Sequence, residues 1–215
     1  KDKSAKARRA ARPVSVWSAA ATNLVLLSIF ALQHSTMARD TFKRLVPASL
    51  SHLERTFYVL LSATSLHLAL GCWRPMPQKT YDLLPFASSR LKSLVEFAFQ
   101  SVGFALQLWA ITILDRPKGS FFGMFQAGGG VTGEGRATLS REGPLAYVRH
   151  PIMTGFFLQH WGCMAPSHGR LLFNAAMTGY ILCAVFSLEE PALELALGAE
   201  YARYKTEVGA FIPRT

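Results

Sequence analysis

Charge is scarce in this chain. Only 17% of its 215 residues are Asp, Glu, Lys or Arg, against about 25% in soluble globular domains, while half are hydrophobic and mean hydropathy is positive. That balance excludes a disordered chain and argues against a typical cytosolic enzyme. Acidic residues are the scarcer sign, 13 against 23 Lys+Arg, for a net charge of +10. A basic excess meant for nucleic acid would cluster on a soluble face. Here Lys1, Lys3, Lys6, Arg8, Arg9 and Arg12 crowd the start, and the rest sit mainly between apolar runs. The expected partners are therefore membrane lipids, with no nucleic acid. Cysteine is scarce too. Cys72, Cys163 and Cys183 are odd in number, each set in apolar sequence, which argues against a disulfide framework and reads as small core residues. The six histidines lack metal-ligand spacing, and HExxH and a nucleophile elbow are missing, so no metal is expected.

Long apolar runs are what the chain has. Five could cross a bilayer, which takes about 20 residues: 14–32, 56–73, 94–114, 151–165 and 171–188. The expected fold class is all-α, a polytopic transmembrane helical bundle of about five spans. Residues 1–13 form a basic N-terminal tail and 14–215 a single membrane domain. The basic start does not read as a signal peptide, because the apolar run after it is too long for an h-region. Alternate loops carry nearly equal Lys+Arg, so charge alone does not set the topology. The fourth run is short, and the turn Pro166-Ser167-His168-Gly169 makes the fourth and fifth a helical hairpin.

Several polar residues interrupt the runs. Glu96, Gln100 and Gln107 fall near one helical face, which should meet protein rather than lipid. Gln33, His34 and Ser35 end the first run as a cap, an inter-helix hydrogen bond or a substrate contact. His67 and His160 read as satisfied core histidines. The Gly128–Gly133 stretch matches GxGxxG literally, yet no strand precedes it and no acid follows at the right distance. It reads as a flexible loop.

The hairpin is expected to bring Arg149-His150-Pro151, at the start of the fourth run, to the membrane face that holds Glu189-Glu190-Pro191. Pro151 suits a first helical turn, while Pro191 reads as a break. Two donors opposite two carboxylates can hold a zwitterion. An interfacial salt bridge that only fixes the hairpin accounts for the same residues.

The segment Gly143-Pro144-Leu145-Ala146-Tyr147-Val148-Arg149-His150-Pro151-Ile152-Met153-Thr154-Gly155 resembles the G-x-Y-x-x-x-R-H-P-x-Y-x-G signature of the isoprenylcysteine carboxyl methyltransferase and phospholipid methyltransferase superfamily. Glu189-Glu190, then Gly198, Tyr201, Tyr204, Val208 and Phe211-Ile212-Pro213, resemble its ending. In the N-terminal half, Gln33-His34-Ser35, Glu54-Arg55-Thr56-Phe57-Tyr58 and Trp73-Arg74-Pro75 resemble the nurim-like branch, which holds methanethiol S-methyltransferases and nurim. That branch usually carries one more span before the Gln-His-Ser helix, which would put the C-terminus in the cytosol.

The resemblance implies S-adenosyl-L-methionine as cofactor, held by a C-terminal module at about 136–215. Leu139, His150, Pro151, Ile152, Met153 and Glu189 would line it. Glu189 would pair with its ammonium, and Arg149 or free N–H groups at the helix start with its carboxylate. His150 would serve as base or polariser, with Arg149 and Glu190 as the other catalytic candidates. A short tail helix bearing Tyr201 and Tyr204 would cover the cofactor or anchor to the membrane surface. The implied reaction is methylation of a small thiol, methanethiol to dimethyl sulfide; a lipid-soluble acceptor is the other partner class. Leu145 and Met153 stand where the superfamily has tyrosines, which favours a non-catalytic nurim-like protein as the alternative. Val185 replaces an arginine of the isoprenylcysteine branch and disfavours a prenylcysteine or phospholipid acceptor. The segment 115–123 also departs from the family pattern.

Overall fold

The computed structural model describes residues 15–114 and 139–214. The basic tail, the GxGxxG stretch and the 115–123 segment lie outside the described residues. The elements are α1 (Val16–Met37), the single turn α2 (Asp40–Lys43), α3 (Glu54–Gly71), α4 (Ser89–Leu114), α5 (Pro151–Trp161), α6 (His168–Ala184), α7 (Glu190–Leu197) and α8 (Ala199–Glu207). Among the described residues there is no strand, only two isolated bridges, Lys79 with Ser167 and Val148 with Gly209. The all-helical class holds.

Of the five apolar runs, three lie in helices that meet the length and hydropathy of a full span: Val16–Met37, Ser89–Leu114, and His168–Leu197 as one continuous helix. The 56–73 run becomes α3, whose 18 residues are diluted by Ser, Thr, His and a Glu54-Arg55 start. The 151–165 run stops at Trp161 after 11 residues. Large apolar side chains point outward along the long helices, including Val25, Ile29 and Leu32 on α1 and Phe97, Val102 and Phe104 on α4. An outward apolar face of that extent is the inverse of a soluble protein and marks an integral membrane protein.

Polar pairs set the helix directions. Near one end of α1 the fully buried Asn23 donates to Arg74 O at 2.9 Å and accepts from Arg74 N at 2.8 Å. Near the other end His34 meets Tyr58 and Ser62 of α3. α1 and α3 are therefore antiparallel. Ser35 pairs with Tyr180, and the start of α6 bonds Met76 and Gln78, so α6 runs parallel to α1. Gln33, His34 and Ser35 do not end α1, because the helix continues to Met37. Their side chains bond Ser65, Tyr58 and Tyr180 across helices.

The polar face foreseen on α4 is present. Glu96 accepts from Met164 N, Gln100 donates to Gln159 O, and Gln107 donates to Ile152 O and Gln159 Oε1. α5 and the residues after it satisfy all three. Two glycines let the helices approach this closely: a Cβ on Gly103 would come within 2.6 Å of Gly155 O, and one on Gly155 within 2.6 Å of Gly103 O. The cysteine expectation fails at two positions, since Cys72 and Cys183 are exposed. His67 and His160 each bond the carbonyl four residues back, although His67 faces outward.

Pro191 does not break its helix. Between α6 and α7 the chain widens into a π turn over Val185–Glu189, where Glu190 N donates to Val185 O. A proline cannot donate to the turn before it, and one wide turn absorbs the defect. Such turns recur at functional sites. Here it aims Glu190 inward at 2% exposure and leaves the Glu189 side chain half exposed.

Candidate functional site

The site begins where the chain enters α5. Gly143–Ala146 lead in through a 3-10 turn, Pro151 occupies the first helical position, and His150 caps the helix without a side-chain cap bond. The C-terminal tail lies alongside. Arg149 N donates to Gly209 O at 2.8 Å and His150 N to Ala210 O at 2.9 Å, while Thr154 Oγ1 donates to Phe211 O at 3.0 Å. Gly209 is required there, because a Cβ would sit 2.0 Å from Ile212 O. The tail thus pins residues 149 and 150 before any side chain is counted.

Glu190 arrives from the far end of the α6–α7 helix and becomes the hub. Its Oε1 accepts from Arg149 Nε at 2.9 Å, from Arg149 Nη2 at 2.7 Å and from His150 Nε2 at 3.1 Å. Lys205 Nζ lies 3.2 Å from Oε2 and also bonds Glu194. Arg149 Nη1 donates to Lys205 O and Val208 O. The side chains of Arg149, His150 and Glu190 are 8%, 4% and 3% exposed. A buried carboxylate is tolerable only with this many partners. Lys205 is held charged by its bonds to Glu194 and Glu190, which raise its pKa.

The structure brings Arg149, His150, Glu189 and Glu190 together, though in different roles. Arg149 and Glu190 are fully engaged with each other and with the tail. Glu189 makes one long contact, 3.7 Å from His150 Nδ1, and keeps hydrogen-bonding capacity. Pro151 is buried, Ile152 and Met153 are half-buried, and Leu139 packs on the cluster of Tyr201, Tyr204 and Val208. On the tail helix α8, Tyr201 and Tyr204 face the protein, each 2% exposed, and Tyr204 Oη donates to Leu145 O. Tyr201 Oη is buried without a well-formed hydrogen bond. Burial and then the neighbouring Glu190 charge push its pKa upward, so it stays a neutral hydroxyl. Beside His150 the rings of Phe157 and Phe186 meet Phe211 edge-on at 5.1 and 5.7 Å, and Phe211 lies 5.7 Å from the imidazole.

Sequence reasoning missed Lys205 and the pairing of the tail with residues 149 and 150. Lys205 directly follows Tyr204 and was legible as a cation beside the motif. The backbone pairing leaves no side-chain signal.

Fold and site together define an all-helical membrane protein with a buried ionic hub where its last helices and tail converge. No family model and no solved structure matches the chain. It is 36% identical to the methanethiol S-methyltransferase of Mycobacterium tuberculosis, over 92% of this chain and 80% of that protein. Identity is 35% to methanethiol S-methyltransferase 2 of Bradyrhizobium diazoefficiens, over 94% and 76%. Nurim of Danio rerio is more distant, 26% identical over 79% of this chain and 63% of its own. The chain belongs to the methanethiol S-methyltransferase family.

Proposed function

We propose that this chain is an integral membrane methyltransferase that moves a methyl group from S-adenosyl-L-methionine to methanethiol, giving dimethyl sulfide. The observation that carries the reading is the division of labour between two adjacent carboxylates, set within a family of that activity. In this reading α3 and α5 join the three long helices as bilayer-embedded segments. That makes five, with α5 and α6 as a hairpin in one membrane domain and the C-terminus on the cytosolic side.

The residues fit the cofactor. Glu189, with free capacity at the rim, pairs with the ammonium. The uncapped first turn of α5, at Ile152 and Met153, offers N–H groups to the carboxylate. The Phe157, Phe186 and Phe211 rings suit a sulfonium and a small apolar thiol. Leu139, Pro151 and Met153 complete the wall. Bound there, the cofactor supplies a sulfonium methyl, which the thiolate sulfur takes while the electron pair of the broken S–C bond stays on the cofactor's sulfur.

The chain's own task is to orient the thiol and take its proton, since the thiolate is the nucleophile. The Glu190 carboxylate only accepts, so His150 Nε2 carries a hydrogen. In the neutral ring Nδ1 is then the free lone pair, on the Glu189 side, and it receives the thiol proton. Arg149 and Glu190 act by holding His150 in that orientation.

Calorimetric titration of the purified protein in detergent with S-adenosylmethionine, followed by headspace detection of dimethyl sulfide after adding methanethiol, tests the reading. Saturable binding weakened in His150→Ala and Glu189→Ala is the expected result. A folded wild type that binds nothing overturns it in favour of a nurim-like scaffold.

A further inference from the structure

A cavity of about 500 Å³ opens between α3, α4, α5 and α6, walled by Trp73, Gln100, Gln159, His160, Arg170 and Phe173. It lies at the end of α5 away from the ionic hub. Gln159 and His160 occupy the last turn of α5, which starts after His150. The Arg170 guanidinium bonds Gln159 O, nine residues along α5 from His150, so on that axis the cavity lies about 14 Å from the hub, inside the bundle.

Arg170 is the unusual group. Its Nη2 donates to Gln159 O at 3.1 Å, but its Nε is buried with no hydrogen-bond partner. Among the described residues it makes no ion pair. Arg149, by contrast, has a carboxylate and two carbonyls. A guanidinium cannot shed its proton, and a half-buried one with an unspent donor calls for an anion. The rest of the wall is flat and aromatic: His160 stacks on Phe173 at 5.2 Å, and Trp73 meets the same ring edge-on at 5.9 Å. An oxyanion on Arg170 with an apolar body against these rings is the chemistry of a phospholipid headgroup.

We propose that this cavity binds the phosphodiester of an anionic phospholipid, with Arg170 as its cation, at the end of α5 away from His150. The site needs neither the cofactor nor the thiol. Native mass spectrometry of the full chain, released from detergent with added dioleoylphosphatidylglycerol, tests it. One lipid should be retained saturably. Arg170→Gln should lower its affinity about tenfold, as for one lost charge-assisted contact, and Arg170→Lys should lower it less. Dioleoylglycerol, which lacks the phosphate, should not be retained. Equal retention of the two lipids, or no effect of Arg170→Gln in a folded protein, overturns the proposal. Displacement by inorganic phosphate overturns the lipid assignment and makes the free anion the ligand. Should Arg170→Gln fail to fold, Trp73→Leu carries the test: weaker retention supports the site, unchanged retention overturns it.

Discussion

Glu190 Oε1 lies 3.1 Å from His150 Nε2, across forty residues of sequence, and the same oxygen accepts two bonds from Arg149. The neighbouring Glu189 approaches the other side of the imidazole, 3.7 Å from Nδ1. The two glutamates flank the ring from the end of the π turn at 185–189, Glu189 as its last residue and Glu190 as the first of the helix that follows. One carboxylate is buried and structural, the other open to a ligand.

That asymmetry separates the two glutamates experimentally. Glu190→Ala leaves Arg149 buried without its anion and should cost about 3 kcal/mol, read as a large fall in thermal midpoint in detergent. Glu189→Gln should leave the midpoint nearly unchanged. It should weaken S-adenosylmethionine binding by about tenfold, the share of one charged hydrogen bond. Equal thermal destabilisation by both would contradict the assigned roles.

Tyr201 carries a prediction at high pH. Burial raises the pKa of its hydroxyl above the ordinary value of about 10, so the folded chain keeps a proton that the unfolded chain releases. Stability from such a group is complete below about pH 10 and falls as pH rises past it. Lys205, raised by Glu194 and Glu190, acts with the same sign. Tyr201→Phe should blunt the alkaline loss seen in a pH series of melting curves. It should not destabilise at neutral pH, because the hydroxyl it removes has no well-formed bond to lose.

The helical class and the meeting of Arg149 and His150 with the glutamates were legible in the sequence. Apolar runs, a proline at a helix start and an antiparallel return are strong local signals. The glutamine face of α4 was legible too, since spacing alone places Gln100 and Gln107 together. The lengths of the helices in the second and fourth runs were not. The 56–73 and 151–165 runs are apolar by composition, but α3 carries a polar face toward His34 and α5 ends at Trp161. Pro191 misled because a proline is read as a break, whereas a π turn lets the helix continue. The tail strap rests on backbone bonds, and of its residues only Gly209 has its type fixed by the close approach of Ile212 O.

The α4–α5 contact gives a test of packing. Gly155→Ala would drive a Cβ to within 2.6 Å of Gly103 O and Gln107 Cγ, so the helices must separate. A cost of about 1–3 kcal/mol is expected for such overpacking. Gly179→Ala is the control, since a Cβ there meets nothing within 4 Å, and it should be neutral within about 0.5 kcal/mol. A pair of melting curves in one detergent decides the matter, and equal midpoints would refute the close approach.

Gly209 tests whether the tail orders the site. A Cβ at this position would lie 2.0 Å from Ile212 O, a backbone atom that cannot move without carrying the tail with it. Gly209 O and Ala210 O are the acceptors for Arg149 N and His150 N, and Phe211 O holds Thr154. In Gly209→Ala the strap should lift, freeing residues 149 and 150 while the long helices stay packed. Helical circular dichroism should therefore be retained, whereas proteolysis near residues 205–213 should speed up and methylation of methanethiol should fall by about a hundredfold, as misplacement of a reacting group by an ångström can cause. Full activity with a protected tail would show that the strap plays no part in orienting His150. A collapse of helicity would show that the strap supports the whole bundle and not the site alone.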